Sequence, residues 1–114
     1  MRFDLIAGFI NPKDTEKVVK TAKKSGATGD LIIQGKGSGL DQASFLGMSI
    51  QEKTDIVIFI VEEHHTQKIM NAVTEECNLE EPGNGILMVL KIDRVAGLSQ
   101  QIKKIRENLN TEQL

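Results

Sequence analysis

Residues 35–53, GKGSGLDQASFLGMSIQEK, separate two short apolar runs, Leu31-Ile32-Ile33 before them and Ile56-Val57-Ile58-Phe59-Ile60-Val61 after. Both runs are rich in β-branched residues, and both read as strands. Neighbouring strands in a small domain are usually joined by about two to five residues. A connection as long as this one is characteristic of a functional or mobile loop. Its entrance carries alternating glycines, Gly35, Gly37 and Gly39. Glycine tolerates φ > 0, so successive backbone N–H groups can point into one concavity suited to an anion or phosphate. The plainer reading is that the glycines only let a strand end and turn.

The same reading extends outward in both directions. Residues 3–10, FDLIAGFI, are apolar on both faces of an extended chain, as a central strand requires. Asn11-Pro12 ends it, because proline lacks the ladder donor. An amphipathic helix is predicted over 14–25, with Asp14 as its cap and Glu16 in its first turn. Val18, Val19 and Ala22 form its apolar stripe, and Gly26 is its C-terminal stop. Lys17, Lys20, Lys23 and Lys24 read as a solvated face, with an anion-binding patch as the other reading. The second strand is placed at 30–34 and the third at 54–61. Between them Ala43, Phe45, Leu46, Met48 and Ile50 are too apolar for a purely solvated segment, which suggests a fold-back, a short strand or a docked partner.

A second helix is predicted over 66–77, where Ile69, Met70, Val73 and Cys77 recur at helical spacing. His64 and His65 precede it. Adjacent histidines are expected to diverge and no acidic or cysteine partner stands at ligand spacing, so no metal site is assigned. Cys77 falls on the apolar stripe and reads as packing rather than as a nucleophile. Pro82-Gly83-Asn84-Gly85 is a turn signal. The fourth strand follows from Ile86 to about Ile92, and a polar helix over 98–109 leads to a frayed end.

The chain of 114 residues fits one domain (1–114), with a core at 3–97, a loop segment at 40–52 and a helical tail at 98–114. A formal charge of −2, no Trp or Tyr and only four Phe argue against nucleic-acid binding. A single cysteine excludes an internal disulfide. The N-terminus lacks a signal-peptide pattern and no run reaches a membrane span, so a cytoplasmic location is expected.

The order β-α-β-β-α-β defines an α+β fold, the ferredoxin-like plan: an antiparallel four-stranded sheet with two helices on one face and a C-terminal helical tail. Apolar residues on both faces of the first and fourth strands imply that the open face is covered by the tail or by another copy, and a homo-oligomer is expected.

In this order the motifs resemble the PII nitrogen-regulatory proteins, as a divergent PII-like branch with a shortened T-loop. The resemblance covers about residues 3–97. It rests on Gly35-Lys36-Gly37-Ser38-Gly39 where the family's T-loop begins and on Lys53 where it keeps a phosphate-binding lysine. It rests also on Pro82-Gly83-Asn84-Gly85 at its B-loop and on Ile92-Asp93-Arg94-Val95 at the strand end. The resemblance implies a homotrimer with small-molecule sites at the subunit clefts. The ligand would be an adenine nucleotide (ATP, ADP or AMP), and whether a metal takes part is left open. It implies control of a membrane transporter or a metabolic enzyme through a mobile loop, and no catalysis. The implied ligand-binding positions are Leu31, Gly35, Lys36, Gly37, Ser38, Gly39, Lys53, Phe59, Gly83, Asn84, Gly85 and Arg94. Amides at 37–39 and 83–85 would meet phosphate, Lys53 would supply charge, and Leu31 with the backbone near Phe59 would enclose the adenine.

The chain departs from that pattern in several places. Ile86 stands where the family turn continues with lysine. Gly97 and Ser99 stand where two phosphate-binding arginines are found. Asp41, with Gln42 next to it, replaces the family's glutamine, and the loop has no tyrosine for nucleotidylation. A charged contact to phosphate contributes about 1.5–3 kcal/mol, so losing three favours a less charged ligand than ATP, or charge supplied by Lys36, Arg94 or the tail. The alternative is a trimeric ferredoxin-like protein whose nucleotide pocket is vestigial and which binds a metal or another small anion. Acylphosphatases share the plan, but they need an arginine at the glycine loop, and none lies in or beside 35–39.

Overall fold

The structure, a computed structural model, describes residues 2–36, 44–45, 48–49, 53–97 and 103–104. The elements are β1 (Phe3–Ile10), a 3-10 turn (Pro12–Asp14), α1 (Thr15–Lys24), β2 (Leu31–Lys36), β3 (Ser44–Phe45), β4 (Met48–Ser49), β5 (Lys53–Glu62), α2 (Glu63–Glu76) and β6 (Gly85–Lys91). The main sheet has the order β2-β5-β1-β6, every neighbouring pair antiparallel. This is the expected ferredoxin-like plan.

β1 alternates strictly between half-buried and buried positions. Ile6 and Ile10 lie on the buried side with Val57, Phe59 and Val61 of β5, and Val18, Ala22, Ile69 and Val73 of the helices complete the core. Gly8 belongs to that side too. A Cβ there would come within 3.1 Å of Leu87 Cδ1, so the glycine leaves room for a side chain of the neighbouring strand. The opposite side of the sheet is apolar as well. Its cross-strand rows run Ile33-Ile56-Phe9-Ile86, Leu31-Ile58-Ala7-Met88 and Ile60-Leu5-Leu90. Leu31, Ile60 and Leu90 are exposed there at 57%, 44% and 51%.

The helix ends differ from expectation in instructive ways. Asp14 stands at the start of α1 but makes no side-chain cap. The capping group is Asn11, whose side-chain oxygen accepts from Lys13 N at 3.2 Å and closes the 3-10 turn. α2 starts at Glu63 rather than Thr66, because the chain turns into helix directly from the extended residue Glu62. His64 and His65 therefore belong to its first turn. At the far ends, Gly26 has φ +120° and the expected stop is present. Ala27 N donates to Ala22 O and Gly26 N to Lys23 O, the paired bonds of a Schellman motif. Asn78, at φ 54°, ends α2 with the same pair, Leu79 N to Thr74 O and Asn78 N to Glu75 O.

Within the long connection, β3 and β4 pair antiparallel, Ser44 with Ser49 and Phe45 with Met48. Of the predicted tail helix, Lys103 and Lys104 are described and are helical, and the rest lies outside the described residues.

Candidate functional site

The register shows which predicted positions come together. Gly35 pairs with Thr54 and Lys36 with Lys53, so the loop entrance and the lysine of β5 occupy one corner of the sheet. Ile10 pairs with Asp55 on one side and with Gly85 on the other. Gly35, Lys53 and Gly85 thus share one end of the sheet, with Gly35 and Gly85 on opposite edge strands and Lys53 on β5 beside Gly35. With β5 and β1 between them and strands about 4.8 Å apart, β2 and β6 are separated by roughly 14 Å. Within one chain Gly35 and Gly85 therefore cannot meet on a single phosphate. Gly37, Ser38 and Gly39 lie outside the described residues.

The turn before β6 is firmly built. Asn84 Nδ2 donates to Asn78 O at 2.9 Å and Asn84 N to Glu81 O at 3.2 Å. The Asn84 side chain is thus engaged in shaping its own turn. Gly83 has φ +89° and open space where a side chain would stand. Gly85 has φ +141°, and a Cβ there would lie 3.0 Å from Phe9 O. Only glycine lets the turn enter the sheet so close to β1.

Three predicted residues are placed apart from these groups. Arg94 follows the other end of β6, roughly 20 Å along the strand from Gly85. Its side chain is 94% exposed and lies 3.8 Å from Asp93. The Phe59 side chain is buried in the core beneath the helices, so only its backbone remains to adjoin a ligand. Leu31 is exposed at the start of edge strand β2, at the end away from Lys36.

Two polar contacts escape a residue-by-residue reading. Asp4 is fully buried, yet its Oδ2 accepts from Thr66 Oγ1 at 2.7 Å. Lys91 Nζ lies 3.3 Å from Oδ2 and 3.2 Å from Oδ1, the latter approach being ion-pair proximity without hydrogen-bond geometry. The Thr66 hydroxyl holds the Asp4 carboxyl below its ordinary pKa, burial opposes this, and Lys91 adds to the lowering. Asp55 is also buried and accepts from Thr15 Oγ1 at 2.6 Å. Asp4 and Asp55 stand 51 positions apart, as do Thr15 and Thr66. At that offset Val18 matches Ile69, Val19 matches Met70 and Ala22 matches Val73. Comparing the two halves of the chain would have exposed these contacts, whereas counting apolar faces does not.

The α1 lysines behave as a solvated face where they are paired: Lys20 meets Glu16 at 3.1 Å and Lys23 meets Asp30 at 3.1 Å. Cys77 is buried in the core, and burial pushes its thiol pKa up. His64 and His65 do not diverge. Their ring centroids lie 4.1 Å apart.

No protein-family model matches the sequence, and no curated protein matches it. Solved structures do. A proposed PII-like signaling protein from Thermus thermophilus aligns with a TM-score of 0.61 at 18% identity, over 81% of this chain and 87% of that one. GlnK from B. subtilis aligns at 0.64 and 17% identity, over 86% and 91%. The GlnK–ATP complex aligns at 0.64 and 16% identity, over 87% and 91%. The chain has the PII-like variant of the ferredoxin-like fold, as a sequence-divergent example of it. Among the described residues no helix is long and apolar enough to cross a membrane.

Proposed function

We propose that this chain is a PII-like signal-transduction regulator and not an enzyme. It assembles as a homotrimer, binds an adenine nucleotide at the clefts between subunits, and controls a membrane transporter or metabolic enzyme through residues 40–52. The observation that carries this reading is the division of the anion-binding elements. The corner at Gly35, Lys36 and Lys53 lies on one edge and the turn at Gly83–Gly85 on the other, at the same end of the sheet. A second copy placed edge to edge brings one group opposite the other, so each cleft draws on two chains. The apolar rows on the open face supply the surface such an assembly buries, and apolar burial is the main driving force for association.

Several features support a phosphate in the cleft. The register pairs Lys36 with Lys53, which puts two residues of cationic type at one corner of the sheet. Gly83 has a positive φ and open space beside it, so the turn leaves backbone accessible to an approaching anion. GlnK of the same fold has been seen with ATP. Because Ile86, Gly97 and Ser99 replace cationic positions, ADP or AMP is expected to bind at least as well as ATP. Leu31 and the β5 backbone near Phe59 take the base. Calorimetry of the purified protein with ATP, ADP and AMP tests the reading. Heat for at least one nucleotide, weakened by Lys53→Ala, supports it. No heat for any of the three overturns the nucleotide assignment.

A further inference from the structure

We infer that Glu62, His64 and His65 form a binding site for a borderline divalent transition-metal ion such as Zn²⁺. One ligand atom from each residue lies within 4.8 Å of the other two. His64 Nε2 is already 3.4 Å from Glu62 Oε2. A tetrahedral zinc ion sits about 2.0–2.2 Å from nitrogen and oxygen donors, which puts those donors roughly 3.3–3.5 Å apart. Small side-chain rotations close the remaining distance.

The fold explains why neighbouring histidines converge here. Glu62 ends β5 in an extended conformation, and the helix begins with the next residue. The carboxylate therefore comes from the strand and the imidazoles from the first helical turn. Gly26 fixes the second ring. A Cβ at Gly26 would stand 2.7 Å from His65 Nδ1, so the missing side chain is the space the imidazole occupies. His65 is thereby half-buried, while His64 is open to solvent on top of it. The helix N-terminus opposes a cation, and the carboxylates of Glu62 and Glu63 offset that field.

The donor set selects the metal. Two imidazoles with one carboxylate suit zinc, nickel and copper, whereas magnesium and calcium want oxygen donors. Three protein ligands leave a fourth position for water or a group from another molecule.

The test is titration of the nucleotide-free protein with Zn²⁺ by calorimetry, with Mg²⁺ as control, together with thermal melts and X-ray absorption at the zinc edge. One Zn²⁺ per chain, a raised melting temperature, no Mg²⁺ response and a two-imidazole absorption signature are expected. Changing a group that merely orients a metal ligand costs about 10–100-fold in affinity. Losing a ligand by His64→Ala or Glu62→Gln should therefore cost at least about tenfold. His64 is exposed, so the metal-free melting temperature of His64→Ala should match the parent. Unchanged Zn²⁺ affinity in His64→Ala, or no uptake by the parent protein, overturns the assignment.

Discussion

The hydroxyl of Thr66 donates a 2.7 Å hydrogen bond to the carboxylate of Asp4, a side chain with no exposed surface. The bond ties the first turn of α2 to the start of β1, two elements far apart in sequence. Thr15 and Asp55 tie α1 to β5 in the same way. Each half of the fold thus lends a buried carboxylate to the helix of the other, and these polar ties fix where both helices sit on the sheet.

Hydrogen bonds to a charged group contribute about 1.5–3 kcal/mol. Thr66→Val, which keeps the shape and removes the hydroxyl, is expected to lower the unfolding free energy by about that much. Thr66→Ser should lose less. Urea denaturation measures both, and equal stability of the valine and parent proteins would show that the tie is energetically idle.

The same contact predicts an acid response. The folded state holds Asp4 below its ordinary pKa of 3.8, chiefly through Thr66. Its contribution is therefore complete above that value and is lost as pH falls through the lower folded-state pKa. Melting temperatures taken from neutral to strongly acid pH should fall below about pH 4, and less steeply in Thr66→Val. Parallel profiles for the two proteins would contradict this.

Much of the fold was legible in the sequence because it is written in local patterns. The apolar runs, the Gly26 stop and the 82–85 turn each report a backbone requirement, and β1, α1, β5 and β6 fall where those patterns place them. What escaped is what depends on partners. Asp4 and Asp55 look like polar interruptions until the helices bring Thr66 and Thr15 to them. The helical start at Glu63 is hidden because no capping signal marks it. The divided site is visible only as far as the strand order allows, and the structure adds that Phe59 points into the core and that Arg94 lies at the other end of β6.

Gly85 should be the least replaceable residue of its turn. At φ +141° with Phe9 O only 3.0 Å from a Cβ, Gly85→Ala combines strain and a clash with backbone. A residue forced into such a region costs about 1–3 kcal/mol from φ alone. Gly83→Ala meets open space and should cost less. Denaturant midpoints compare the two, and the reverse ranking would be inconsistent with the geometry.

The apolar open face should hold the assembly together. Ile60 and Leu90 flank Leu5 in one cross-strand row and are substantially exposed in the single chain. Sedimentation should show a trimer for the parent and smaller species for Ile60→Lys with Leu90→Glu, with circular dichroism unchanged. A parent that sediments as a monomer at micromolar concentration would remove the trimer.

The most direct measurement mixes two damaged chains. Lys53→Ala harms one edge, and Gly83→Asp harms the other by setting a carboxylate where phosphate would lie. Each variant alone should bind nucleotide weakly. When the two are unfolded and refolded together, random assortment in a trimer gives about a quarter of the clefts an intact edge from each chain. Calorimetry should then recover binding at about that fraction of sites. A mixture that binds no better than the separate variants would mean that nucleotide sites, if the protein has them, are not shared between neighbouring chains.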